Sequence, residues 1–261
     1  MTRGWELSPV EFTGLWAARR ESVPEPFFHL PEPGSTWGAG RRRRAEAVAE
    51  VRARLGGVID DVLDAVTRPD IRLVVSGMSG TDPAEPAARL RMLATRTGDR
   101  GFLITQLPGR SGSEAAGYTI TEQDVLELGA VVTAALPDRE AGRKPGFVYS
   151  APVDRGDHDY DDRRSLVRDT AADPAAGRSA EFERARLDQV GSITVQQGSS
   201  RFGPRGISTV HLYWRDLTDD GRYAVVPGRP MTVVPADRPR MTGLVDAGIA
   251  EIVRAIRDDR A

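Results

Sequence analysis

The stretch "STVHLYWRDLTDDGRYAVV", residues 208–226, constrains this chain more than any other. Two strand-like runs flank a turn centred on Asp219-Asp220-Gly221, the pattern of a β-hairpin. Side chains alternate across a strand. Val210, Leu212 and Trp214 therefore share one face, and Thr209, His211, Tyr213 and Arg215 the other. The first set is a core face. The second is too polar for a core and too rich in large side chains for an indifferent surface. It leaves three readings open: an active site, a docking surface, or solvated sheet.

The same alternation recurs elsewhere. "DIRLVVSG" (70–77) reads as a strand, "ARLRMLATRTGDRGFLITQLPG" as a hairpin turning at Gly98-Asp99, and "GYTIT" (117–121) as a short strand. "GSITVQQG" (191–198), the 208–226 hairpin and "PMTVVPAD" repeat that order. A helix follows each set. "EQDVLELGAVVTAAL" (122–136) lines up Val125, Leu128, Val132 and Leu136, and the final helix lines up Leu244, Ile249, Ile252, Val253 and Ile256. Thr119 and Asp124 match the spacing of Thr232 and Asp237, and each Asp stands where a helix N-cap is expected. The sequence thus predicts a single domain, 1–261, with two corresponding halves near 5–136 and 160–257 and a linker at 137–159. The fold class is α+β: a central antiparallel sheet of two quasi-equivalent meanders, flanked by helical bundles.

Ahead of the first meander, "LSPVEFTGLW" opens a helix. Ser8 caps it, Pro9 suits the first helical position, Glu11 completes a capping box, and Phe12, Leu15 and Trp16 share a face. The Pro-rich "SVPEPFFHLPEPGSTWG" should run extended. Next comes an Arg-rich helical segment carrying Val48, Val51, Leu55, Ile59, Val62, Leu63 and Val66, divided at Gly56-Gly57. Its charges are expected to pair along the helix, Arg42 with Glu46 and Glu50 with Arg54. Two further helices are expected at 160–169 and 177–190, and Phe147–Tyr149 is a short apolar break within the linker.

Composition excludes several function classes. A formal net charge of −2 argues against nucleic acid as the main partner, and "RRRR" (41–44) reads as a solvated helix end. The absence of cysteine removes disulfides and thiolate chemistry. No run approaches the roughly 20 apolar residues of a membrane span, and no signal-type segment opens the chain, so a soluble cytoplasmic protein is expected. Enzyme motifs are missing too: there is no Walker A sequence, no dinucleotide fingerprint and no nucleophile elbow. "SGMSGTD" (76–82) lacks the Lys and the helix that would cradle phosphate. His29, His158 and His211 are not paired in spacing. Asp157, Asp159 and Asp161 imitate the start of a calcium loop, but Asp162 replaces the glycine and Arg168 the terminal Glu. No cofactor or metal is expected. Weight moves toward a binding function, with two alternatives retained. One is an enzyme with a dispersed site drawing on His211, Arg215 and Asp216, and the other a self-associating protein whose open faces pair in a homodimer.

The order of segments resembles one family. "LSPVEFTGLW", "PEPFFHLP", the Arg-rich helix, "GSITV", "VHLYWRDLTDDGRYAVV" and "MTVVPAD" are together similar to the EspG family, the ESX-associated proteins of actinobacterial type VII secretion, over roughly residues 5–257. The chain is short for that family, and the segment after Leu136 is unlike a compact helical pair. The resemblance implies a cytoplasmic chaperone that is not an enzyme. It would bind the helical tip of a PE–PPE heterodimer, cover an apolar end, and pass the pair to the secretion machinery; another helical secreted client fits as well. It implies contacts from the loop Ser76–Ala87, with Gly77, Met78, Ser79 and Thr81, from the C-terminal helical bundle, and from a sheet face. That face would carry Arg89, Arg91 and Thr95 in the first half and Thr194, Gln196, Thr209, His211, Tyr213 and Arg215 in the second.

Overall fold

A computed structural model describes residues 3–19, 21–27, 36–150 and 174–260. The strands are β1 (Gly4–Leu7), β2 (Ile71–Ser79), β3 (Leu90–Thr97), β4 (Arg100–Pro108), β5 (Ala115–Gln123), β6 (Phe147–Val148), β7 (Leu187–Gln197), β8 (Thr209–Leu217), β9 (Gly221–Val226) and β10 (Thr232–Pro235). The helices are α1 (Pro9–Ala18), α2 (Trp37–Leu55), α3 (Val58–Thr67), α4 (Leu128–Ala134), α5 (Pro174–Arg184) and α6 (Arg238–Arg260). The strands form a ten-stranded sheet in the order β1-β5-β4-β3-β2-β7-β8-β9-β10-β6, antiparallel throughout. The two meanders meet at the centre, where β2 pairs β7 from Ile71↔Gln197 to Ser79↔Gln189. Each is bordered at its outer edge by a short strand, β1 or β6, that precedes it in the chain.

One face carries the larger core. Ile71, Leu73, Val75, Met92, Ala94, Ile193, Val195, Leu212, Trp214 and Ala224 alternate inward and are covered by Leu128 and Val132 of α4 and by Met241, Val245 and Ile252 of α6. The two helices pack closely: a Cβ on Gly129 would lie 2.0 Å from the Asp246 Oδ1, and the Thr133 and Thr242 hydroxyls meet at 2.7 Å. Trp214 needs two glycines beneath it. A Cβ on Gly191 would come within 2.2 Å of its ring, and one on Gly77 within 2.9 Å. Gly191→Ala must push the indole or the strand aside, and is expected to destabilise by about 1–3 kcal/mol, read from the urea midpoint.

On the other face the helices cover only the flanks. Over β3, β4 and β5 lie α1, α2 and α3, fixed by an aromatic cluster. Phe12 stacks on Tyr118 at 3.8 Å between ring centroids and on Trp16 at 4.7 Å, and Phe27 meets Phe12 edge-on at 5.6 Å. The capping box at Ser8 forms as expected, with Ser8 N donating to Glu11 and Glu11 N to Ser8 Oγ. At the far flank α5 packs on β9 and β10, and Phe182 meets Phe147 and Tyr223 edge-on, each at 5.7 Å.

Several expectations are corrected. The helix expected over 177–190 ends at Arg184, and Leu187 and Val190 belong to β7, where pairing with β2 and β8 satisfies their backbone. The helix expected over 122–136 is only Leu128–Ala134. β5 continues to Gln123, and Asp124 caps a turn by accepting from Leu126 N rather than opening the helix. Phe147–Val148 is a strand, and β1 is a further one. The expected pairs along the Arg-rich helix give way to pairs between helices: Arg54 bonds Glu11 at 2.8 Å and Arg52 bonds Asp60 at 2.9 Å. The helix at 160–169, the aspartates 157, 159 and 161, His29 and His158 lie outside the described residues.

Candidate docking surface

Between the two helical covers a stretch of sheet has no helix over it among the described residues. It comprises the middle of β2, β7 and β8, bounded by Val74 and Arg72, which touch the α1–α3 cover, and by Arg215, which α5 covers. The register sets out the side chains of this face in rows. Met78, Val190 and Arg215 form the first row; Ser76, Ser192 and Tyr213 the second. Val74, Thr194 and His211 form the third, and Arg72, Gln196 and Thr209 the fourth. All belong to the face opposite Trp214 because strand side chains alternate.

The chemistry of the stretch is mixed. Hydroxyls pair across strands, Ser76 Oγ with Ser192 Oγ at 3.2 Å and Thr194 Oγ1 with His211 Nδ1 at 3.3 Å. Each of these groups retains hydrogen-bonding capacity toward solvent. Tyr213 is 42% exposed, its ring nearly parallel to that of His211 with centroids 6.3 Å apart, and Met78 is exposed beside them. An exposed tyrosine on a rigid strand offers contact area at small entropic cost.

The residues singled out in the sequence do not all fall here. Thr194, Gln196, Thr209, His211 and Tyr213 are brought together on the open stretch, with Met78 at its end. Ser79 and Thr81 shape the exposed turn that follows β2: Ser79 Oγ accepts from Thr81 N at 3.2 Å and Asp82 N at 3.0 Å. Four other residues are corrected. Gly77 is part of β2, not of a loop, and faces Trp214 on the core side. Arg91 is 7% exposed and donates to the Gly112 carbonyl at 2.8 Å, and burial holds its pKa below the usual arginine range. Thr95 is buried on a strand beneath the α1–α3 cover. Arg215 is taken by α5: it lies 4.6 Å from the Phe182 ring centroid and pairs with the Glu183 carboxylate at 3.0 Å. Arg89 flanks the turn and donates to the Pro83 carbonyl at 2.6 Å. Arg72, Val74, Ser76, Val190 and Ser192 were missed as members of the face, although alternation in "DIRLVVSG" against Ile71, Leu73 and Val75 marks the first three.

A dispersed active site from His211, Arg215 and Asp216 is not assembled. His211 is exposed on the open face, Arg215 lies beneath α5, and Asp216 is buried on the opposite face against Arg222.

Burial does leave a titration signature around the flanks. Tyr118 and Tyr223 are both pushed up to about 12, in each case chiefly by burial, with Asp220 accepting a hydrogen bond from Tyr223 at 2.7 Å. Their folded pKa values lie above the unfolded value of about 10. The folded chain therefore keeps these protons where the unfolded chain sheds them. The associated stability is full below about pH 10 and is lost as pH rises toward 12. Phenolate absorbance should show Tyr118 and Tyr223 ionising late, together with alkaline unfolding, and Tyr149, also raised chiefly by burial, shifted in the same direction.

Taken together, these features define an α+β protein whose single wide sheet is covered on one side by helices and, among the described residues, carries helices on the other side only at its two flanks. The chain belongs to the EspG family, which it matches over residues 8–247. Among solved structures it is similar to the Mycobacterium tuberculosis type VII secretion system chaperone EspG5, determined in complex with a PE25–PPE41 dimer. The likeness covers 98% of this chain and 96% of that one, with a TM-score of 0.55 and 10% sequence identity. At that identity it establishes the fold, and the two chains correspond over nearly all of both. No curated protein sequence matches the chain.

Proposed function

We propose that this chain is a cytoplasmic type VII secretion chaperone, not an enzyme. In this reading it seats the helical end of a PE–PPE-like heterodimer on its open sheet, keeps the pair soluble and delivers it to the secretion machinery. The observation that carries the proposal is the β2-β7-β8 stretch between two helical flanks, uncovered by any helix among the described residues, which presents Tyr213, His211, Thr194 and Met78 outward. Family membership supports it, and so does the dimer bound by the structurally similar EspG5. The turn after β2, with Ser79 and Thr81, would extend the contact, and Gln196 and Thr209 would close its far end. We read residues 1–261 as one domain, its halves near 5–136 and 160–257 presenting a common platform. No helix among the described residues is long and apolar enough to cross a membrane.

Co-expression with a helical heterodimer of that type tests the reading. A stoichiometric soluble complex, stable through size exclusion with light scattering, is expected. Clients that remain insoluble and never co-purify would contradict it. A concentration-dependent dimer of the free chain, dissociated by no client, would favour self-association through the same face instead.

A further inference from the structure

The β7–β8 connection, "SSRFGPRG" at 199–206, is held in one shape by a carboxylate far away in the sequence. Asp259, near the end of α6, accepts from Gln197 Nε2, Ser200 Oγ and Arg201 N, each at 3.1 Å. Ser200 Oγ in turn accepts from Phe202 N at 3.1 Å, and Gly203 takes a positive φ of 71° that a side chain would strain. At the tip of this braced turn Phe202 is 68% exposed, with the Arg201 guanidinium carbon 4.8 Å from its ring centroid. An apolar ring on a flexible tip is unremarkable, but here the ordering cost of binding is already met by the fold.

Hydrogen-bonding capacity around the ring is one-sided. A recess of about 310 Å³ opens at the base of the turn, with Asp70, Arg201, Ile256, Asp259 and Arg260 among its walls. Its two carboxylates are occupied: Asp259 by the turn, and Asp70 by Gly98 N and Arg260, each at 2.9 Å. The arginines are not saturated. A guanidinium has five N–H donors. Arg201 makes one long ion pair, to Asp259 at 3.9 Å, and Arg205, exposed, makes no ion pair among the described residues. Donors in surplus around an exposed ring complement a segment that brings carboxylates next to an apolar side chain. The bracing residue sits on α6, which packs on the face opposite the open stretch, and the turn lies beyond the Gln196–Thr209 end of that stretch, away from Tyr213.

We propose that the turn Arg201–Arg205 is a preformed contact point for an acidic segment of a second protein, separate from the client surface. The proposal does not rest on the identity of the client. The probe is a random dodecapeptide library displayed on phage, selected against the full chain. Enriched peptides are expected to carry carboxylates flanking an apolar residue. They should bind Phe202→Ala and Arg205→Glu at least about tenfold more weakly, and Tyr213→Ala as well as the parent chain. Matching thermal midpoints for all three variants confirm that folding is intact. Peptides that bind the Phe202 and Arg205 variants undiminished would overturn the proposal, and so would a selection that enriches nothing.

Discussion

Asp216→Ala is expected to destabilise the fold by about 3–5 kcal/mol, because it strands a buried guanidinium. Arg222 is 1% exposed and donates to both Asp216 oxygens, Nε at 2.7 Å and Nη2 at 2.8 Å. Nη2 also donates to the Pro137 carbonyl at 2.9 Å, while the Arg222 backbone bonds Glu140 O at 2.8 Å and Gly142 N at 2.9 Å. This one residue therefore closes the β8–β9 hairpin and stitches the segment after α4 to β9. The loss should appear as a lower urea midpoint with unchanged slope. Replacing both partners with apolar residues of similar size, Asp216→Leu with Arg222→Met, should cost clearly less than the single change, since no charge is left unpaired. A single substitution costing under about 1 kcal/mol would show that the pair is not the clamp described. The consequence reaches function, since the clamped hairpin carries His211 and Tyr213 on its other side.

Tyr213→Ala should do the reverse, leaving stability alone and removing binding. An exposed side chain away from caps and cores changes stability by no more than about 0.5 kcal/mol. A tyrosine near the centre of a contact is of the kind that contributes 2 kcal/mol or more, roughly a 30-fold rise in Kd for the heterodimer. Titration calorimetry with the purified client measures this, and the melting curve of the variant supplies the control. Thr209→Ala, at the edge of the stretch, should weaken binding far less. An unchanged Kd for Tyr213→Ala would place the client elsewhere.

Much of the fold was legible where one local signal decided it. Alternation in 208–226 separated Leu212 and Trp214 from His211 and Tyr213, and Gly98 at a φ of 60° marked the β3–β4 turn. What was not legible depended on partners distant in sequence. Leu187 and Val190 read equally well on a helix edge, and only pairing with β2 and β8 makes them strand. β1 has four residues and exists through its register with β5. The open face was half visible. Alternation identifies which side chains share a face, but not which helices lie over it. That is why the sequence groups Arg215 and Thr95 with Tyr213, although α5 lies over the one and the α1–α3 helices over the other. Gly77 was misplaced for a similar reason: its role is to make room for an indole over a hundred residues away.

The most direct measurement uses the absence of cysteine from the chain. Thr194→Cys places a single thiol at the centre of the open stretch, and Ala250→Cys places one on the outer surface of α6. Maleimide should label both promptly in the free protein. With the heterodimer bound, labelling at 194 should be suppressed and labelling at 250 unchanged. A thiol at 194 that is unreactive in the free chain, or equally reactive in the complex, would contradict the claim that bare sheet is where the client sits.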